Sequence, residues 1–168
     1  FLDVVHGIQN SCNVFFSEMG HRLSMDENGN YSPELGIEKI RKYASMFGLD
    51  ETSGIEIAER EPQMTTEKPE ASSIGQGKNS YSNIQLSRYI TAVANKGTVF
   101  KLSLLDKMTD SQGNLLKDFT PEVRSTIDVK DSTWNAVHTG MRRVISDGSA
   151  RKIFSDLEVD IAGKTGTA

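Results

Sequence analysis

Val159-Asp160-Ile161-Ala162-Gly163-Lys164-Thr165-Gly166-Thr167-Ala168 closes the 168-residue sequence, and the rest of the chain is read outward from it. In Val159-Asp160-Ile161-Ala162 a β-branched residue recurs at every second place, which predicts a strand with one face buried. A cation, two hydroxyls and a glycine stand at its head. Gly166 has no side chain, so a ligand's backbone can lie against the strand edge and take its main-chain hydrogen bonds. Lys164 sets a positive charge beside that edge, and strand alternation puts Thr165 and Thr167 on the same side. The combination suits a carboxylate-bearing peptide added antiparallel to the strand.

Composition narrows the function classes. Hydrophobic residues make up 36% and charged residues 25%, a globular balance in a length that fits one ordinary domain. The net charge is −4 with both signs interspersed, and no basic stripe marks a nucleic-acid or anionic-membrane surface. No apolar run approaches the length that spans a bilayer, and no signal peptide is read. Cys12 is the only cysteine, so no internal disulfide forms, and it reads as a small half-buried packing residue. His6, His21 and His138 lack ligand-like spacing, so neither a metal nor another cofactor is expected.

Along the chain, apolar residues at Phe1, Val4, Val5 and Ile8 give a helical period with no capping residue before it. Val14, Phe15, Phe16, Met19 and Leu23 mark a second helix starting near Asn13, and helix capping is the simplest reading of Ser11 and Asn13. A polar turn at 26–30 precedes Ser32-Pro33, an N-cap and first-turn pair, and a helix with Ile37, Ile40, Ala44 and Phe47 on one face. Gly48 suits its C-terminal cap. Residues 50–73 read as a long surface excursion with a short extended piece at 54–57. The loop Ser73-Ile74-Gly75-Gln76-Gly77 turns tightly but lacks the Gly-Lys-Ser/Thr ending of a phosphate loop, and is read as structural. Ser82-Asn83-Ile84-Gln85 is a capping box whose helix presents Leu86, Ile90, Val93 and Ala94. A strand over 98–108, a turn at 110–114 and a partner strand over 115–119 follow. Asp131-Ser132 caps a last helix striped by Trp134, Val137, Met141, Val144 and Ile145, which ends at 147–150.

Three signals therefore stand in order: Ser11-Cys12-Asn13, Ser73 to Gly77, and Lys164-Thr165-Gly166-Thr167. Serine, asparagine and Lys-Thr-Gly motifs of this kind occur in penicillin-binding proteins and β-lactamases. The chain resembles the transpeptidase domain of class B penicillin-binding proteins over essentially its whole length. Further parts of the likeness are Phe47-Gly48-Leu49 with Gly54-Ile55-Glu56-Ile57, Ala94-Asn95-Lys96-Gly97, and Gly140-Met141 with Gly148-Ser149-Ala150.

The resemblance implies an α/β (α+β) fold: a mostly helical lobe plus part of an antiparallel sheet bordering a cleft. It also implies that residues 1–168 form a partial domain. A Ser-x-x-Lys nucleophile would lie upstream and the final sheet strands downstream. Ser149-Ala150-Arg151-Lys152 spells that motif but falls between the other two, and reads as a helix end and turn.

By the same resemblance, Ser11, Asn13 and Lys164 are catalytic, and Thr165, Gly166 and Thr167 bind substrate or β-lactam. The substrate is the D-Ala-D-Ala end of a peptidoglycan stem peptide, β-lactams are its mimics, and cell-wall synthesis proteins are further candidate partners. The implied place is the outer face of the bacterial cytoplasmic membrane, through an N-terminal anchor beyond this sequence. A β-lactam sensor domain and a serine β-lactamase are the alternatives. Either way, the two ends of the sequence must meet.

Overall fold

The computed structural model describes residues 3–166. Helices are α1 (Val4–Gln9), α2 (Asn13–Leu23), α3 (Pro33–Met46), α4 (Pro69–Ser72), α5 (Asn83–Ala94), α6 (Asp131–Ser146) and α7 (Arg151–Phe154). Strands are β1 (Thr98–Lys101), β2 (Lys107–Thr109), β3 (Leu115–Asp118) and β4 (Glu122–Thr126). Mixed helix and antiparallel strand is the predicted class. The chain forms two compact units, the first from Phe1–Ile40, Thr65–Lys78 and Val129–Ala168, the second from Arg41–Met64 and Asn79–Asp128.

The first unit is built on α6. Its predicted stripe is its buried face: Trp134, Val144 and Ile145 are buried, and Val137 and Met141 are partly so. Val144 and Ile145 join Ile8 of α1 and Ala150 in a core cluster, with Phe16 and Ile161 packed against it. Fully burying an aliphatic side chain of this size contributes about 1.5–3 kcal/mol. The α1–α6 crossing is close because Gly140 lacks a side chain; a Cβ there would stand 2.8 Å from Ile8 Cβ. Similarly, α2 lies against α4 at Gly20, where a Cβ would come within 2.6 Å of the Pro69 carbonyl oxygen.

α1 does have a cap, contrary to the sequence reading. Asp3 is extended and its carboxylate accepts from His6 N–H at 2.9 Å. α6 begins earlier than expected: Lys130 is its N-cap, and Asp131, read as a cap, is its first helical residue. The predicted strand over Val159–Ala162 is absent. The stretch is coil with Val159 66% exposed, because a strand needs a hydrogen-bonded neighbour and none of the described residues supplies one.

The second unit joins α5 to two antiparallel strand pairs. β1 pairs antiparallel with β4, with a register shift between Val99 and Phe100, and β2 pairs antiparallel with β3. The single strand expected over 98–108 is thus two, split at 102–106, and β4 is a strand the sequence reading did not propose. The Ser82 capping box forms as predicted, with Gln85 N–H donating to Ser82 Oγ and Ser82 N–H to Gln85 Oε1.

The face of α5 turned inward is only partly the expected one, since Val93 is buried as read and the rest of that stripe is exposed. Leu86 and Ile90 are exposed, whereas Gln85, Arg88, Ala92 and Val93 are buried. The facing loop explains the inversion. It presents backbone carbonyls, and buried carbonyls need donors. Arg88 donates to the carbonyls of Gly48, Glu51 and Thr52, and Gln85 to that of Arg60. Residues 50–73 are accordingly no mere surface excursion: Ser53 and Thr65 are buried, and Glu59 accepts from both Ser53 N–H and Ser53 Oγ at 2.7 Å. The piece at 54–57 is unpaired as a strand.

Candidate functional site

α1 ends in a Schellman motif. Ser11 N–H donates to Ile8 O at 3.1 Å and Cys12 N–H to Gly7 O at 3.0 Å, satisfying carbonyls that the helix end leaves open. That motif needs a left-handed residue after the helix, a place glycine usually fills. Here it is Ser11, with φ of 51°. A non-glycine residue there costs on the order of 1–2 kcal/mol. The side chain therefore sits where a hydroxyl is held at an energetic cost.

Its direction accounts for the choice. Ser11 Oγ lies 2.6 Å from Thr165 Oγ1 and accepts from Lys164 Nζ at 2.8 Å, across 153 residues of chain. Lys164 Nζ also donates to the Thr165 carbonyl at 2.8 Å and to Thr165 Oγ1 at 3.4 Å. Ser11 is not the N-cap of α2. The N-cap of α2 is Cys12, which makes no side-chain capping bond, and Asn13 is the first helical residue.

Desolvation lowers the Lys164 pKa below the ordinary lysine value of 10.5. Among the described residues no carboxylate lies within ion-pair distance of the ammonium to offset that effect. Three polar groups thus converge: an ammonium that gives up its proton more readily than usual, and two hydroxyls that can each donate or accept. Such a cluster can relay a proton or receive an anionic oxygen.

The remaining expected residues are less tightly placed. Asn13 is exposed, and among the described residues its side chain has no hydrogen-bond partner. Gly166 is exposed coil, and a Cβ there would meet nothing within 4 Å. Thr167, expected to bind substrate, lies outside the described residues, as does Phe1 of the first apolar stripe. Ser149 and Lys152, the letters of the displaced Ser-x-x-Lys, are both exposed, Ser149 in the turn before α7 and Lys152 in α7. Among the described residues no group of three or more His, Cys, Asp or Glu side chains could hold a metal ion.

Sequence reading missed the direct Ser11–Thr165 contact and the left-handed Ser11. A helix period ending at Ile8 without a following glycine was the available sign of the latter.

Known proteins share this fold. Penicillin-binding protein 2B from Streptococcus pneumoniae (strain R6) matches with a TM-score of 0.82 at 23% identity, over 98% of this chain and 30% of that one. Penicillin-binding protein H of Bacillus subtilis (strain 168) is 32% identical over 141 residues, 77% of this chain and 20% of that protein. Peptidoglycan D,D-transpeptidase MrdA of Haemophilus influenzae is 26% identical over 156 residues, 80% of this chain and 23% of that protein. The family model for the penicillin-binding protein transpeptidase domain matches residues 1–168, and the chain belongs to that family. It spans between a fifth and a quarter of the length of these curated relatives.

Proposed function

We propose that the full-length protein is a peptidoglycan D,D-transpeptidase, and that Ser11 and Lys164 carry its proton transfers. A nucleophilic serine of a Ser-x-x-Lys motif, outside residues 1–168, gives its hydroxyl proton to the lysine of that motif and attacks the penultimate D-Ala carbonyl of a stem peptide. As the tetrahedral intermediate collapses, the C–N bond to the terminal D-Ala breaks and its nitrogen must take a proton. Ser11 Oγ supplies it, and Lys164 Nζ, which donates to Ser11 Oγ, replaces it. In the second half an amine of another stem attacks the ester carbonyl and loses a proton to the Ser11–Lys164 pair, the C–O bond breaks, and the serine oxygen takes a proton back from its motif lysine. The observation that carries this reading is the 2.8 Å hydrogen bond from Lys164 Nζ to Ser11 Oγ.

The Thr165 hydroxyl beside the Lys164 charge suits the terminal carboxylate, a role the motif extends to Thr167; Gly166 leaves room for the substrate backbone, and Asn13 can orient a substrate amide. The Thr167 N–H serves as one oxyanion donor. β-Lactams enter as mimics of the D-Ala-D-Ala end. The reaction takes place outside the cytoplasmic membrane, where its substrate is, with an anchor and cell-wall synthesis partners contributed by the rest of the protein.

The test is acylation of the full-length protein by a labelled penicillin. Wild type should be labelled stoichiometrically, and Lys164→Ala should slow labelling by about 10²–10⁴-fold, the usual contribution of a positioned acid–base group. The 168-residue chain alone should keep its mass unchanged. Labelling of the chain alone would place the nucleophile within it, and normal labelling of Lys164→Ala would remove Lys164 from the mechanism.

A further inference from the structure

The segment that carries Lys164 has no strand partner among the described residues, so something else must fix it. Ile161 is packed against the core cluster. Arg142 of α6 donates through Nη1 to Ile161 O at 3.0 Å, and its Nη2 pairs with the Asp160 carboxylate. The preceding residue, Met141, accepts from Gly163 N–H at 3.1 Å. Two adjacent residues of α6 thus grip a four-residue run that ends immediately before Lys164. The same helix packs against α1 at Gly140 and Ile8, three residues ahead of Ser11. Both halves of the Ser11–Lys164 pair are therefore measured against one rigid element.

We infer that Arg142 is a positioning residue: its guanidinium fixes residues 160–161 on α6 so that Lys164 Nζ meets Ser11 Oγ. The inference rests on the functional reading above. The planar fork holds a carbonyl and a carboxylate at once, which a lysine's single ammonium on a flexible stem does not reproduce in geometry. Energetics separate this role from simple stabilisation. The Asp160 side chain is 89% exposed and that of Arg142 43% exposed, and pairs so open to solvent contribute little to stability. A displacement of about 1 Å at a reacting group, by contrast, can cost about 10²-fold in rate.

The experiment compares Arg142→Ala, Arg142→Lys, Asp160→Asn and Lys164→Ala in the full-length protein. It uses a labelled penicillin and separates the acylation rate constant from affinity for the initial complex. Arg142→Ala is expected to acylate about 10–100-fold more slowly at nearly unchanged initial affinity and melting temperature. Arg142→Lys should recover part of the rate. Asp160→Asn should lose only a few-fold, since the Ile161 contact survives. If Lys164→Ala is slow while Arg142→Ala stays within about twofold of wild type, positioning by Arg142 is wrong and the Ser11–Lys164 reading stands. A rate lost only in step with melting temperature also overturns it. Should Arg142→Ala fail to fold, wild-type rates in both Arg142→Lys and Asp160→Asn overturn it. If wild type is not acylated, or Lys164→Ala is unaffected, the functional reading itself fails.

Discussion

Replacing Ser11 by glycine should separate what this residue costs from what it does. Its φ of 51° is the conformation glycine adopts freely, and a Cβ there costs on the order of 1–2 kcal/mol. Against that relief stands the loss of two side-chain hydrogen bonds, at 2.6 and 2.8 Å, in a solvent-exposed setting. Each net bond contributes about 0.5–1.5 kcal/mol, and glycine adds about 0.4–1 kcal/mol of unfolded-state entropy. For exposed bonds the low end of that range applies, so loss and relief roughly offset, and Ser11→Gly should melt at or slightly below wild type. Ser11→Ala keeps the left-handed cost and loses the same hydroxyl. It should therefore be about 1 kcal/mol less stable than Ser11→Gly, roughly 2–4 °C in melting temperature for a domain of this size. Both should acylate slowly. Thermal melts followed by circular dichroism, paired with penicillin labelling of the same preparations, make the comparison. An alanine variant as stable as the glycine variant would refute the argument that strain is stored here, and rapid acylation by either would refute the role of the hydroxyl.

Gly140→Val should cost about 1–3 kcal/mol by overpacking, because a Cβ there already stands 2.8 Å from Ile8 Cβ; it should also slow acylation by moving α1 and Ser11, checked by melting and labelling together. The pH profile of acylation should have an alkaline limb below the ordinary lysine value of 10.5, because desolvation disfavours the Lys164 ammonium. The sign for stability follows. Since the folded-state value lies below the unfolded one, the charged lysine destabilises the fold at neutral pH. That penalty fades as pH rises through the folded and then the unfolded value, so the melting-temperature gap between wild type and Lys164→Met should change in that alkaline window and be constant below it.

Particular residues show where sequence reading reaches its limit. The α6 stripe was legible because one long face meets one core, and periodicity records that directly. The Ser82 capping box was legible because both its bonds are local. The buried face of α5 was not: the partner of Arg88 and Gln85 is a loop of backbone carbonyls, and no hydrophobic pattern announces such a surface. Nor was the fate of Val159–Ala162, since alternation reports a preference for pairing while a partner decides whether a strand forms. At the site, Ser11 and Lys164 were found through ordered motifs, yet the left-handed backbone that aims Ser11 depends on how α1 ends. Arg142 carried no sequence signal, because its partners are a backbone carbonyl and a side chain 18 residues away.

A double-mutant cycle on penicillin acylation with Ser11→Ala and Lys164→Ala tests the pairing of these two side chains most directly. If the hydroxyl and the ammonium act as one relay, the double variant should be no slower than the slower single variant, a coupling of at least about 1.4 kcal/mol, or tenfold. Losses that simply multiply would mean that the two groups work independently, and that their hydrogen bond plays no part in the chemistry.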